Sequence, residues 1–207
     1  MTATTAISDT VPFGPAATAD VRVRSLPPDV LGQACRRVGI ASVAIASIWA
    51  FALVAVLVGA PLLGLDLTVW RAAFWPLPWV PVVAIGLALS VGMVFVAAKL
   101  SARPAHLLDA GLVFEVLTAG LMAFLNQWQP AVWTGGISAV CVLILIYPAI
   151  APNTPWKTFA AGLVAASMDP LWYGVAMARG LGGEVAATSL FWTFAVNYMC
   201  AGLAVLP

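Results

Sequence analysis

Six runs of apolar residues organise the chain, at positions 38–63, 79–98, 107–128, 132–151, 158–178 and 188–206, each close to twenty residues long. A helix rising about 1.5 Å per residue needs roughly 20 residues to cross a hydrocarbon core about 30 Å thick. The runs are continuous rather than alternating, so they predict helices and not the period-two strands of a β-barrel. The expectation is an all-α polytopic membrane protein, with six transmembrane helices in residues 29–207 behind an N-terminal tail, 1–28.

Punctuation between the runs supports that division. The tail is rich in Ala, Thr, Pro and Asp, and Pro12, Gly14, Pro15, Pro27 and Pro28 interrupt any periodicity. Alone it is expected to be disordered, an extended cytoplasmic strip. Asp29 then stands where an N-cap would, and Val30, Leu31, Ala34 and Val38 recur at helical spacing, predicting an interfacial turn that leads into the first span. Two proline-rich segments are expected to interrupt helix. Trp75-Pro76-Leu77-Pro78-Trp79-Val80-Pro81 reads as an extended outer loop, and the stretch from Pro148 to Pro155 ends the fourth span before the fifth begins. No internal repeat marks a transporter built from inverted halves.

Composition sharpens this picture. Of 207 residues, 63% are apolar and 8% charged, and the mean hydropathy is +1.03. A soluble domain of this size would leave too much apolar surface in water, which excludes a water-soluble enzyme. A net charge of +1 provides no field to hold nucleic acid. The few basic residues set the orientation, because they favour the cytoplasmic side. With the N-terminus inside, Arg22, Arg24, Arg36, Arg37, Lys99, Arg103 and Lys157 are all cytoplasmic, Arg71 and Arg179 alone face out, and six spans return the C-terminus to the cytoplasm. Trp70, Trp75, Trp79, Trp128 and Trp133 then fall at the outer boundary, where amphipathic rings anchor. No basic stretch followed by an apolar run opens the chain, so the N-terminus is expected to be retained.

Ionisable groups inside a span cost several kcal/mol unless paired, which makes Glu115 and Asp169 the first candidates for function. Both are expected at middle depth, where they could face each other. The functional reading is a pair handling protons or cations along an ion or solute pathway. The structural reading is a neutral carboxyl hydrogen-bonded to a neighbouring helix, with Pro170 kinking the fifth span beside Asp169. Asp109, near the cytoplasmic boundary, is expected to form a local ion pair with Lys99, Arg103 or His106. Because His106 is the only histidine, a bis-histidine haem, a multi-histidine metal centre and a Ser-His-Asp triad are all excluded. Cys35, Cys141 and Cys200 read as small core residues. Small residues at four-residue spacing, Ser42-Ala46-Ala50, Ala88-Gly92 and Gly162-Ala166, predict close helix contacts.

Three stretches carry a family resemblance. They are Leu26-Pro27-Pro28-Asp29-Val30-Leu31 leading through Arg36-Arg37, then Leu107-Leu108-Asp109-Ala110-Gly111-Leu112-Val113-Phe114-Glu115, and Ala151-Pro152-Asn153-Thr154-Pro155-Trp156-Lys157. Together they resemble the membrane region attached to certain bacterial serine/threonine protein kinases, over nearly all of the chain after the tail. The resemblance implies a six-span inner-membrane module with both ends cytoplasmic. It implies no catalytic residue here, since the glycine-rich loop, the HRD loop and the DFG triplet are missing and Val43-Ala44-Ile45-Ala46 lacks the lysine of the phosphate-pairing strand. Either a cytoplasmic domain follows Pro207 and the module is a kinase's membrane sensor, or the module serves as a subunit by itself.

The leading expectation is the second: a non-catalytic accessory or scaffold subunit of a larger complex in the bacterial inner membrane. The assembly expected is a photosynthetic reaction-centre and antenna complex, an inference from context that no residue encodes. Its partners are the lipid bilayer and other membrane subunits; no cofactor, metal or nucleic acid is expected. The tail would then order by contact, through Phe13 for apolar packing and Arg22 and Arg24 for polar contacts.

Overall fold

A computed structural model describes residues 28–59, 62, 79–126, 137–180 and 185–205. Seven α-helices and one π-helical turn make up its described elements, with no strand among them. They are α1 (Pro28–Val54, continued by the π-turn Ala55–Gly59), α2 (Trp79–Leu100), α3 (Pro104–Asn126), α4 (Ala139–Ile150), α5 (Pro155–Ala166), α6 (Met168–Ala178) and α7 (Ala187–Leu203). Among the described residues three segments are long and apolar enough to cross a membrane: Gly32–Gly59, Val80–Leu100 and Pro104–Asn126.

The distribution of polarity is that of a protein with a lipid exterior. Ser42, Ser90, Glu115, Thr118, Asp169 and Asn197 are buried, whereas Phe51, Phe95, Phe191 and Trp192 are exposed. In water that arrangement would be unstable, because it puts large apolar side chains in contact with solvent and takes polar groups out of it. In a bilayer it is the stable one. Buried serines satisfy themselves within their own helices: Ser42 donates to the carbonyl of Val38 at 2.8 Å and Ser90 to that of Gly86 at 2.8 Å.

α3 is the central helix. Its span is 50% buried, against 24% for that of α1 and 33% for that of α2. Two apolar clusters meet on it. One joins Ala34, Cys35 and Val38 of α1 to Ala97 of α2, Leu107 of α3 and Tyr147 of α4. The other joins Ala119 and Ala123 of α3 to Cys141 and Ile144 of α4, Ala165 of α5 and Ala201 of α7. All three cysteines are free and buried.

Several boundaries differ from the sequence expectation for identifiable reasons. The predicted interfacial turn is simply the start of α1, which runs unbroken from Pro28. Trp79, Val80 and Pro81 belong to the first turn of α2 and not to an extended loop, since a proline there sacrifices no intrahelical bond. The fourth span is shorter than its apolar run: Ile137 and Ser138 are outside the helix, and the Ser138 hydroxyl caps α4 by accepting from the Val140 amide at 3.2 Å.

The fifth apolar run forms two helices instead of one. Pro170 has no amide proton, so the carbonyl of Ala166 loses its i+4 donor and the chain tightens at Ser167. The two pieces nevertheless follow one line along α7. Gly162 faces Ala201, the Ser167 hydroxyl lies 3.1 Å from that of Tyr198, Asp169 meets Asn197, and Tyr173 stacks edge-on with Phe194. That antiparallel register describes a bent rod, as the proline predicts. α6 closes at Gly180, whose φ of 71° lies in the left-handed region that glycine tolerates.

The small-residue stripes divide. Gly162 and Ala166 pack inward, and a Cβ on Gly162 would stand 3.3 Å from that of Ala201. Ala88 and Gly92 are exposed; the packed face of α2 carries Gly86, Ser90, Met93 and Ala97. Trp49 lies across Gly86, where only a missing side chain leaves room for its ring.

Candidate functional site

Asp169 enters the first turn of α6, fully buried. Its two oxygens are each held by an amide: Asn126 Nδ2 donates to Oδ1 at 3.1 Å, and Asn197 Nδ2 to Oδ2 at 2.7 Å. Asn126 Nδ2 also donates to the Ser138 hydroxyl at 3.2 Å, which in turn caps α4. One carboxyl group thus ties together the end of α3, the start of α4, the start of α6 and the middle of α7. First-turn positions on α6 and the nearby N-terminus of α4 both favour negative charge. Asn197 Oδ1 is buried with no partner.

Glu115 is separate from this group. It is about 1% exposed on α3, and its Oε2 has no partner among the described residues. Thr118 Oγ1, one turn along the same face, and Tyr147 OH on α4 are likewise buried and unpartnered. Tyr147 reaches from α4 across to α3. Its hydroxyl passes over Gly111, where an added Cβ would stand 2.9 Å from it. The expectation that Glu115 and Asp169 could face each other is corrected by the register. Asn126, which holds Asp169, lies eleven residues beyond Glu115, about 16 Å along α3.

Asp109 pairs across the fold and not locally. Lys157 Nζ reaches its two oxygens at 2.8 and 2.9 Å, and Asn153 Nδ2 reaches Oδ1 at 3.2 Å. Lys99, Arg103 and His106 take no part. The reason lies in the α4–α5 connection: Asn153 Oδ1 accepts from the Thr154 amide at 2.8 Å, Pro155 starts α5, and Lys157 is thereby placed over Asp109. The pair is half-exposed.

Sequence reasoning found the carboxylates and missed Asn126, Ser138 and Asn197. Two signals were available: an amide inside the apolar run 188–206, and a serine placed before the apolar stretch that starts at Ala139. Phe13, Arg22 and Arg24 lie outside the described residues, as do Trp70, Trp75, Trp128 and Trp133. Among the described residues no group of three or more His, Cys, Asp or Glu side chains is placed to hold a metal ion. No known protein family, curated protein or solved structure matches the chain.

Proposed function

We propose that the chain is a multi-pass subunit of a bacterial inner membrane, crossing six times with both ends cytoplasmic, and that it serves as a non-catalytic accessory or scaffold piece of a larger complex. The observation that carries this reading is the use made of Asp169. Both carboxyl oxygens are occupied by amides of other helices, so the most deeply buried acid functions as a joint. Asp109 is spent similarly, on Lys157 and Asn153. The six-crossing count draws support from the shared register of α5 and α6 along α7, the arrangement expected if residues 155–178 serve as one crossing. An apolar groove of about 440 Å³ between α2, α3 and α6, lined by residues such as Ile85, Leu117, Leu121 and Trp172, offers a partner helix a seat. A photosynthetic reaction-centre and antenna complex remains the assembly proposed. Purification from the native membrane in mild detergent tests the reading: the chain should migrate in a stoichiometric, pigmented assembly. Recovery of the chain by itself would sink it.

A second reading, an ion pathway, is favoured by one observation: the unpartnered oxygens of Glu115, Thr118 and Tyr147 inside the bundle. Glu115→Gln in reconstituted vesicles separates the two. A subunit of the first kind shows the same proton flux with and without the substitution, whereas a pathway loses it.

A further inference from the structure

Basic side chains gather at one end of the bundle. Arg36 and Arg37 lie near the start of α1, Lys99 at the end of α2, and Arg103 in the turn before α3; all four are exposed. Packing brings them together. A Cβ on Gly39 would stand 3.8 Å from that of Ala97, so α1 and α2 touch within a turn of Arg36 and Lys99. The Arg103 amide donates to the Leu100 carbonyl at 2.8 Å, folding Arg103 back over the same corner. Ala34, Cys35, Val38, Ala97 and Leu107 form the apolar floor beneath.

This corner has charge to spare. Asp109 follows Arg103 by six residues on α3, and Lys157 and Asn153 already occupy that carboxylate. Among the described residues Arg36, Arg37, Lys99 and Arg103 have no ion-pair partner. A second feature agrees with headgroup depth for the corner. Trp156, next to Lys157 at the start of α5, is 71% exposed, which is where an amphipathic ring meets the headgroup layer. Exposed cations at headgroup depth, on an apolar floor between helices, match a phosphate that carries acyl chains. Guanidinium groups add the fork geometry that engages two phosphate oxygens at once.

We propose that the corner formed by Arg36, Arg37, Lys99 and Arg103 binds the phosphodiester headgroup of an anionic phospholipid. The site is independent of the Asp169 joint and of whether the chain belongs to a complex. It assigns these four side chains a ligand as well as a part in orientation.

The full chain in neutral detergent, mixed with equal amounts of phosphatidylglycerol and phosphatidylcholine, provides the test. Native mass spectrometry should show phosphatidylglycerol retained in preference, and the preference should fall as salt rises. Each cation replaced by Gln should lower it by about fivefold, the effect of one basic residue near an anionic surface. Arg179→Gln, at the end of α6 away from this corner, should leave it unchanged. Equal retention of the two lipids by the unaltered chain overturns the proposal, a result that requires no variant to fold. A preference for phosphatidylglycerol that is unchanged in all four Gln variants also overturns it, because the lipid is then held elsewhere.

Discussion

Asp169 shows how a buried acid becomes a structural part. Interhelical hydrogen bonds in membranes average about 0.6 kcal/mol and reach about 1.7, so neither amide bond holds the bundle alone. Their effect lies in orphaning: a buried donor left without an acceptor costs roughly 1–3 kcal/mol. Asn197→Leu should therefore destabilise the protein modestly, by about 1 kcal/mol, since Asp169 keeps Asn126. Asp169→Ala should cost more, because Asn197 Nδ2 then loses the acceptor described for it. Unfolding in mixed micelles orders the two variants, and an Asp169→Ala protein as stable as the unaltered chain would contradict the joint. Asp109 provides the contrast. It and Lys157 are 45% and 46% exposed, so Asp109→Asn should change stability by less than about 1 kcal/mol in the same measurement.

Between α1 and α2 the contact is set by one missing side chain. A Cβ at Gly86 would come 2.6 Å from Cε2 of Trp49, closer than carbon atoms approach, and the Trp49 ring is 5% exposed and enclosed. Gly86→Ala should cost about 1–3 kcal/mol through overpacking. In a Trp49→Leu background the same methyl should cost almost nothing, and a thermal-denaturation double-mutant cycle reads that coupling directly. Strictly additive effects would show that the Trp49 ring does not lie over Gly86. At this scale the sequence was legible where backbone chemistry leaves a mark. Pro170 announced the bend at Ser167, and Pro148 to Pro155 announced the α4–α5 break. It was illegible where hydropathy alone had to decide, because an apolar residue scores the same in helix as outside it. Ile137 thus read as span although α4 starts only at Ala139. Which side of α2 faces α1 was hidden too, since a helix apolar all round carries no stripe, and only Trp49 selects Gly86 over Gly92.

Over the whole molecule, α3 meets both apolar clusters and carries Asp109, Glu115 and Asn126 at three successive depths. A ribosome delivers these helices in order. Asn126 emerges before the partners it needs: Ser138 follows soon, Asp169 forty-three residues later, and Asn197 twenty-eight residues after that. Until α7 is made, the Asp169 carboxyl lacks one of its two donors, so the shortened chain carries an incomplete joint. Chains of lowered stability are the ones that cellular proteases remove. A chain stopped after Gly180 should insert α1 to α3 normally yet turn over several times faster in pulse-chase than the full chain. Asp169→Leu in the shortened chain, which removes the exposed acid, should slow that turnover; unchanged decay would mean the cell reads some other feature of the unfinished bundle. Slowed turnover would identify the Asn197 amide of α7 as what distinguishes the shortened chain from the full one.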